Sequence, residues 1–346
     1  MRRLILLILL VAALAVPICA AEYTAPTVPP DARPLMPAQT ESFGQGLWTV
    51  IKSAVALLRP DLTAAARTCL SVVAVVLLTS ILNSFSGNMK TVTDFVCPLA
   101  ISAVLLGQTS SLVELGVETV QQLSEYAKLL LPVMTGALAT QGGTTGAAAL
   151  YGGTMLFNTV LVTLIGNLLV PMIYIFLALS IGNCALGEQL LKKLRDFSKW
   201  LMTWTLKIIL YVFTGYMSIT GVISGAADAA AVKALKLSIS GMVPVVGGIL
   251  SDAAESVVLG AGVMKSAAGV YGLTAIIAIF ISPFLQISVH YLILKVTAAV
   301  CGAFDVKAAS ELIEDFSGAM GLLLGMTGTV CIMLMISMIC FLKGMG

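Results

Sequence analysis

His290 is the only histidine in 346 residues, and it lies inside an uncharged stretch that runs from Ser266 to Leu294. Gln286 stands one helical turn before it and Lys295 five residues after it. An ionisable group in an apolar segment is costly to hold, so such groups are the first places to look for chemistry. Gln286 and His290 share a helix face and could line a path for an ion or polar solute. Asn158, Asn167 and Gln141, in an earlier apolar stretch, could face the same cavity. Each residue also has a plainer reading. A buried imidazole is satisfied by a hydrogen bond, asparagines join helices in the same way, and a lysine near a span's end carries its ammonium to the interface on an apolar stem.

Catalysis needs a fuller constellation. The chain has no H-E-x-x-H, no Walker A and no G-x-S-x-G elbow. One histidine cannot supply a metal pair. Cys69, Cys97, Cys184, Cys301, Cys331 and Cys340 sit in apolar stretches with no C-x-x-C, and read as small buried hydrophobes. Asp252 and Glu255 share a helix face, which a solvated surface explains. No enzyme, cofactor or metal site is expected. A net charge of +2, with no basic run interleaved with aromatics, argues against nucleic acid.

The elements that must position these residues follow from composition. The chain is 59% hydrophobic and 10% charged, with mean hydropathy +1.03; a soluble domain carries about 25% charged residues. The expected fold is all-α, a polytopic transmembrane bundle whose solvent is membrane lipid. Residues 1–21 read as a signal peptide: "MRR", an apolar core from Leu4 to Val16, then small residues at "CAA". Residues 22–41 form a Pro-rich extracytoplasmic linker, expected to be extended. Residues 42–67 hold an amphipathic helix, with Leu47, Ile51, Ala54 and Leu58 on one face, lying in the interface or packed on the bundle.

Residues 68–128 supply two spans, Thr68–Met89 and Phe95–Val113, and an acidic amphipathic helix. Leu129 to Gly187 then runs 59 residues without a charge, enough for two spans or three tight ones. Glu188 to Lys207 is basic and amphipathic, with Leu190, Leu191, Leu194, Phe197 and Leu201 on one face. Asp305 to Asp315 is a second amphipathic stretch, and Phe316 to Leu342 the last span.

Two tracts resemble each other. Pro132 and Gly136 match Pro244 and Gly248 at an offset of 112, Tyr174 and Cys184 match Tyr291 and Cys301 at 117, and Asp-Phe-Ser at 196–198 returns at 315–317, an offset of 119. The colinear matches predict an internal duplication of residues 129–226 and 241–346. Pro132, Gly136, Pro244 and Gly248 are candidate hinges or re-entrant turns. Asp196, Ser198, Asp315 and Ser317 are the residue types that cap helix N-termini. The topology is in tension. The positive-inside rule puts Lys192, Lys193, Arg195 and Lys199 in the cytoplasm. From an extracytoplasmic N-terminus two spans bring Glu114 outside, and three crossings are then needed before Glu188, so the Pro132 segment would have to span. Parallel and inverted repeats both remain open.

The stretches "PVVGGILSDAAESVVLGAGVMKSAAGVYG" (Pro244–Gly272), "HYLILKVTAAVCGAFD" (His290–Asp305) and "ELIEDFS" (Glu311–Ser317) resemble the stage III sporulation protein AE family. The resemblance implies a multi-pass subunit in the mother-cell membrane around the forespore. It also implies partners: sibling membrane subunits, a forespore membrane protein, and an ATPase supplied elsewhere in a secretion-like conduit. It brings no catalytic residues. On physics alone the duplication suits a secondary transporter that moves a small solute by alternating access of two repeats.

Overall fold

The computed structural model describes residues 26–37, 43–85, 90–140, 144–219, 267–304 and 306–344. The expected signal peptide, Gln141, Pro244, Gly248, Asp252 and Glu255 lie outside these residues. The elements are a 3-10 turn (Arg33–Leu35) and helices α1 (Phe43–Leu57), α2 (Arg59–Phe85), α3 (Lys90–Thr140), α4 (Thr144–Leu164), α5 (Val170–Leu186), α6 (Gln189–Ile219), α7 (Ala267–Ala303) and α8 (Lys307–Gly344). No strand occurs among the described residues. Among the described residues five stretches are long and apolar enough to cross a membrane: Arg59–Leu82, Phe95–Ala139, Gly146–Leu186, Gly269–Ala303 and Lys307–Lys343.

Helix α8 is the axis. The most apolar window of α8 is 94% buried, against 22% in α2. Helices α3, α4, α5, α6 and α7 pack around it. Its glycines and small residues permit this crowding, and so do its partners'. A Cβ on Gly116 of α3 would lie 2.7 Å from Leu323 Cδ1. α7 runs antiparallel to α8, with Gly269 against Leu342 and Lys295 against Glu314.

Two sequence expectations change here. The 59-residue uncharged run is neither two spans nor three. Its first part completes α3, a continuous helix that contains Pro132, so Pro132 and Gly136 mark no re-entrant turn. Its remainder is one unbroken path through α4 and α5. A π-turn at Ile165–Leu169 joins them, with the Val170 N–H reaching back to the Ile165 carbonyl. Pro171 supplies the cause: it has no N–H to give the preceding turn, and one widened turn absorbs the loss. α4 and α5 together are about 65 Å long at 1.5 Å per residue. They carry the chain from the C-terminal end of α8, where Thr154 bonds Ser337, to its N-terminal end, where Cys184 bonds the Ala308 carbonyl.

The proline-rich segment is not an extended linker. Val28, Ala32 and Leu35 are buried, and Gln122 of α3 donates to Asp31. The segment is thus a strap across α3, held internally by Arg33 Nε donating to the Val28 carbonyl at 3.0 Å. α1 packs on α7 through Val50 and Ala54.

The amphipathic start of α6 is turned the other way from a helix in water. Leu190, Leu194 and Phe197 are exposed, as are Trp200, Trp204 and Tyr211; Arg195, Ser198, Met202 and Leu206 are buried. Lipid removes the drive to hide apolar groups, and it makes the polar face the one that must find partners inside.

α5 ends at Gly187, whose φ is +68° and whose N–H closes the last turn on the Asn183 carbonyl at 2.8 Å. Only glycine takes this conformation without strain. Gly187→Ala is expected to cost about 1 kcal/mol, read as a lower melting temperature in detergent. Gly136→Ala, at a mid-helix position with nothing within 4 Å of the added Cβ, should be neutral or slightly stabilising.

Candidate functional site

The repeated Asp-Phe-Ser motifs meet. α6 and α8 run parallel from a common end: Lys192 Nζ is 3.5 Å from Glu311 Oε1, Arg195 Nη1 is 2.7 Å from Asp315 Oδ2, and Lys199 lies against Gly318. Arg195 also holds Asp196, through Nε at 3.0 Å and Nη2 at 2.9 Å. One guanidinium therefore clasps the aspartates of both motifs. Lys295 of α7 completes the cluster on Glu314. Lys192, Arg195, Lys199 and Lys295 face Asp196, Glu311, Glu314 and Asp315: four cations against four carboxylates.

The members differ in weight. The Lys192–Glu311 and Lys295–Glu314 side chains are about half exposed. Such pairs contribute little, about 0–1 kcal/mol. The Arg195 and Asp315 side chains are 10% and 12% exposed. That pair lies in the bundle, and each charge depends on the other. Lys295→Met is accordingly expected to shift the melting temperature by no more than a degree or two, read by thermal unfolding in detergent. Loss of the whole fold would contradict the assignment of Lys295 to an exposed pair.

Asp196, Ser198, Asp315 and Ser317 cap nothing. α6 begins at Gln189 and α8 at Lys307, so all four lie well inside their helices. Ser198 donates to the Leu194 carbonyl of its own helix, and Ser317 donates across to the Tyr291 carbonyl of α7. The aspartates are partners of Arg195. The sequence held one signal for this. Arg195, Ser198, Met202 and Leu206 recur at helical spacing, so an arginine sits on a face that is otherwise fit for packing.

The candidate path residues are not brought together. His290 is buried, with Nδ1 2.9 Å from the Gln286 carbonyl and Nε2 2.6 Å from Gln108 Nε2 of α3. The Gln286 side chain points to Ser282 at 3.5 Å. Asn158 donates to Ser124 Oγ at 2.9 Å, in the contact between α3 and α4. Asn167 is exposed on the π-turn. His290 and Asn158 bond α3 at positions sixteen residues apart, about 24 Å along the helix, so no single cavity holds them. Gln108 is a partner that the sequence reading missed. It is a polar residue inside an apolar span, which was its available signal.

Among the described residues no group of histidine, cysteine, aspartate and glutamate side chains has the arrangement of a metal site. The clasp is an electrostatic joint between helices.

The sequence profile of the stage III sporulation protein AE family matches residues 39–344. The chain belongs to that family. The stage III sporulation protein AE of Bacillus subtilis (strain 168) is 24% identical over 183 residues, which cover 53% of this chain and 46% of that protein. The match thus spans about half the length of the curated relative. No solved structure matches. The clasp residues Lys192, Arg195, Glu311 and Asp315 all lie within the span that defines the family.

Proposed function

We propose that this chain is a non-enzymatic, multi-pass subunit of the conduit complex between mother cell and forespore. It would sit in the mother-cell membrane around the forespore, with sibling membrane subunits and a forespore membrane protein as partners and an ATPase supplied by another subunit. Family membership over residues 39–344 carries this reading. The architecture supports it: a buried axial helix, lipid-suited outer faces, and charged side chains used on one another.

In this reading the mature N-terminus is extracytoplasmic. α2 then enters, α3 returns, and α4 with α5 enters again as a single crossing. That brings Lys192, Lys193, Arg195 and Lys199 to the cytoplasmic side, as the positive-inside rule asks. On this path the run from Leu129 to Gly187 contributes one crossing after α3 rather than three.

The test is a tagged pull-down from detergent-solubilised sporulating cells. Co-purification of sibling membrane subunits and a forespore protein supports the reading. Elution as a lone monomer or homodimer contradicts it, and transport of a solute by the purified chain alone in liposomes would replace it with the permease reading.

A further inference from the structure

The outer face of α6 is aromatic and basic at one level of the bundle. Phe197, Trp200 and Trp204 are each about half exposed. Their rings form a row, with centroids 5.9 Å apart from Phe197 to Trp200 and 5.9 Å apart from Trp200 to Trp204. Lys207 follows Trp204 by three residues and is exposed. Asp196, Lys199, Trp200, Thr203, Trp204 and Lys207 line one open groove of about 360 Å³. Their spacing of three and four residues sets them along one side of the helix.

This groove is positively charged. Among the described residues no carboxylate pairs with Lys207. Asp196 is the one acid in the lining, and Arg195 already holds it through two nitrogens. Lys199 adds a second ammonium, beside the clasp carboxylates Glu314 and Asp315. The Thr203 hydroxyl donates to the Lys199 carbonyl at 2.9 Å. The polar groups left to a visitor are ammonium and indole N–H, which can only donate. Such a groove suits an anion.

Its depth identifies where the anion comes from. α8 carries no charge between Asp315 and Lys343, so the hydrocarbon begins near Phe316. Arg195 stands opposite Asp315, and Lys199 opposite Gly318, which puts the same boundary near Lys199 on the parallel α6. Trp200 and Trp204 then lie at the headgroup level, where indoles collect. Lys207 is eight residues past Lys199, about 12 Å deeper. Helix side chains lean toward the N-terminus, so the Lys207 stem runs back past Trp204 and carries its charge toward the boundary.

We propose that this groove binds the headgroup of an anionic phospholipid, from the leaflet at the Arg195 end of the bundle. Its phosphate lies between Lys199 and Lys207, and its chains run down along the indoles. The site needs only that the bundle lies in a bilayer, and it stands whether or not the chain serves a conduit complex.

The test uses the full chain in lipid nanodiscs. The chain has three tryptophans, and Trp48→Phe leaves only the two in the groove. Brominated lipids quench indole fluorescence on contact. Brominated phosphatidylglycerol, as a minor component, should quench several-fold more than the same fraction of brominated phosphatidylcholine. Lys207→Gln should remove most of that preference, and Lys207→Arg should keep it. Lys193→Gln, which deletes an exposed lysine outside the groove, should leave it in place. Equal quenching by the two lipids overturns the proposal. So does a preference that Lys207→Gln leaves unchanged, or one that Lys193→Gln reduces as much. Quenching by neither lipid would mean that protein, such as a second copy of the chain, covers the face, and overturns it too.

Discussion

Asp315→Ala will cost about 3 kcal/mol or more and will strip most of the folded protein from the membrane. It removes one partner of a buried pair and leaves the Arg195 guanidinium in the bundle without its 2.7 Å carboxylate. Breaking such a pair costs about 3–5 kcal/mol, whereas replacing both partners with apolar groups is often neutral. Arg195 keeps Asp196, but that carboxylate is largely exposed and screens poorly in the interior. Arg195→Ala should also be damaging, because it leaves the buried Asp315 with only the Ser180 hydroxyl and the Lys199 charge. The double variant Arg195→Met, Asp315→Leu should recover much of the loss. The measurement is a double-mutant cycle on thermal unfolding in detergent. Additive losses, with no recovery, would mean that the two charges do not depend on each other.

The second large effect is steric. Gly116→Val should destabilise by at least about 1–3 kcal/mol, the usual range for overpacking a tight core. A Cβ at Gly116 would lie 2.7 Å from Leu323 Cδ1 and 2.8 Å from its Cγ, and Leu323 is itself 1% exposed on the axial helix. Neither helix has room to give. Gly107→Ala, two and a half turns earlier on the same helix and with nothing within 4 Å, should be tolerated. Equal tolerance of both substitutions, by melting temperature and by protein level in membranes, would show that α3 and α8 do not approach as described.

The sequence made the fold class legible because hydropathy decides it: a chain 59% hydrophobic and 10% charged has no other solvent than lipid. Span boundaries were harder. Pro132 and Pro171 look like breaks, yet α3 absorbs the first within a continuous helix, and a π-turn absorbs the second. A proline's local cost says nothing of whether neighbouring helices make it good. The orientation of α6 was not legible for a related reason. Leu190, Leu194 and Phe197 form an apolar face, and in water such a face goes inside. In lipid it is Arg195 on the opposite side that needs shelter.

The repeated Asp-Phe-Ser motif was visible, but its use was not. Capping is a local property that a sequence can suggest. A clasp between residues 120 apart depends on two helices starting at the same end, which only the packing provides. His290 was found because a lone histidine in an apolar run is conspicuous. Its partner Gln108 was missed, because nothing in its own neighbourhood points to α7.

The measurement that tests the account most directly is the sidedness of the two charged helix starts. Single cysteines at Lys193 and Lys307, in an otherwise cysteine-free chain, would be labelled in intact sporulating cells and in permeabilised ones with a membrane-impermeant maleimide. Parallel α6 and α8 joined by Arg195 and Asp315 require both positions to be reached from the same face. Labelling from opposite faces would separate the two motifs by the bilayer, and the clasp could not exist.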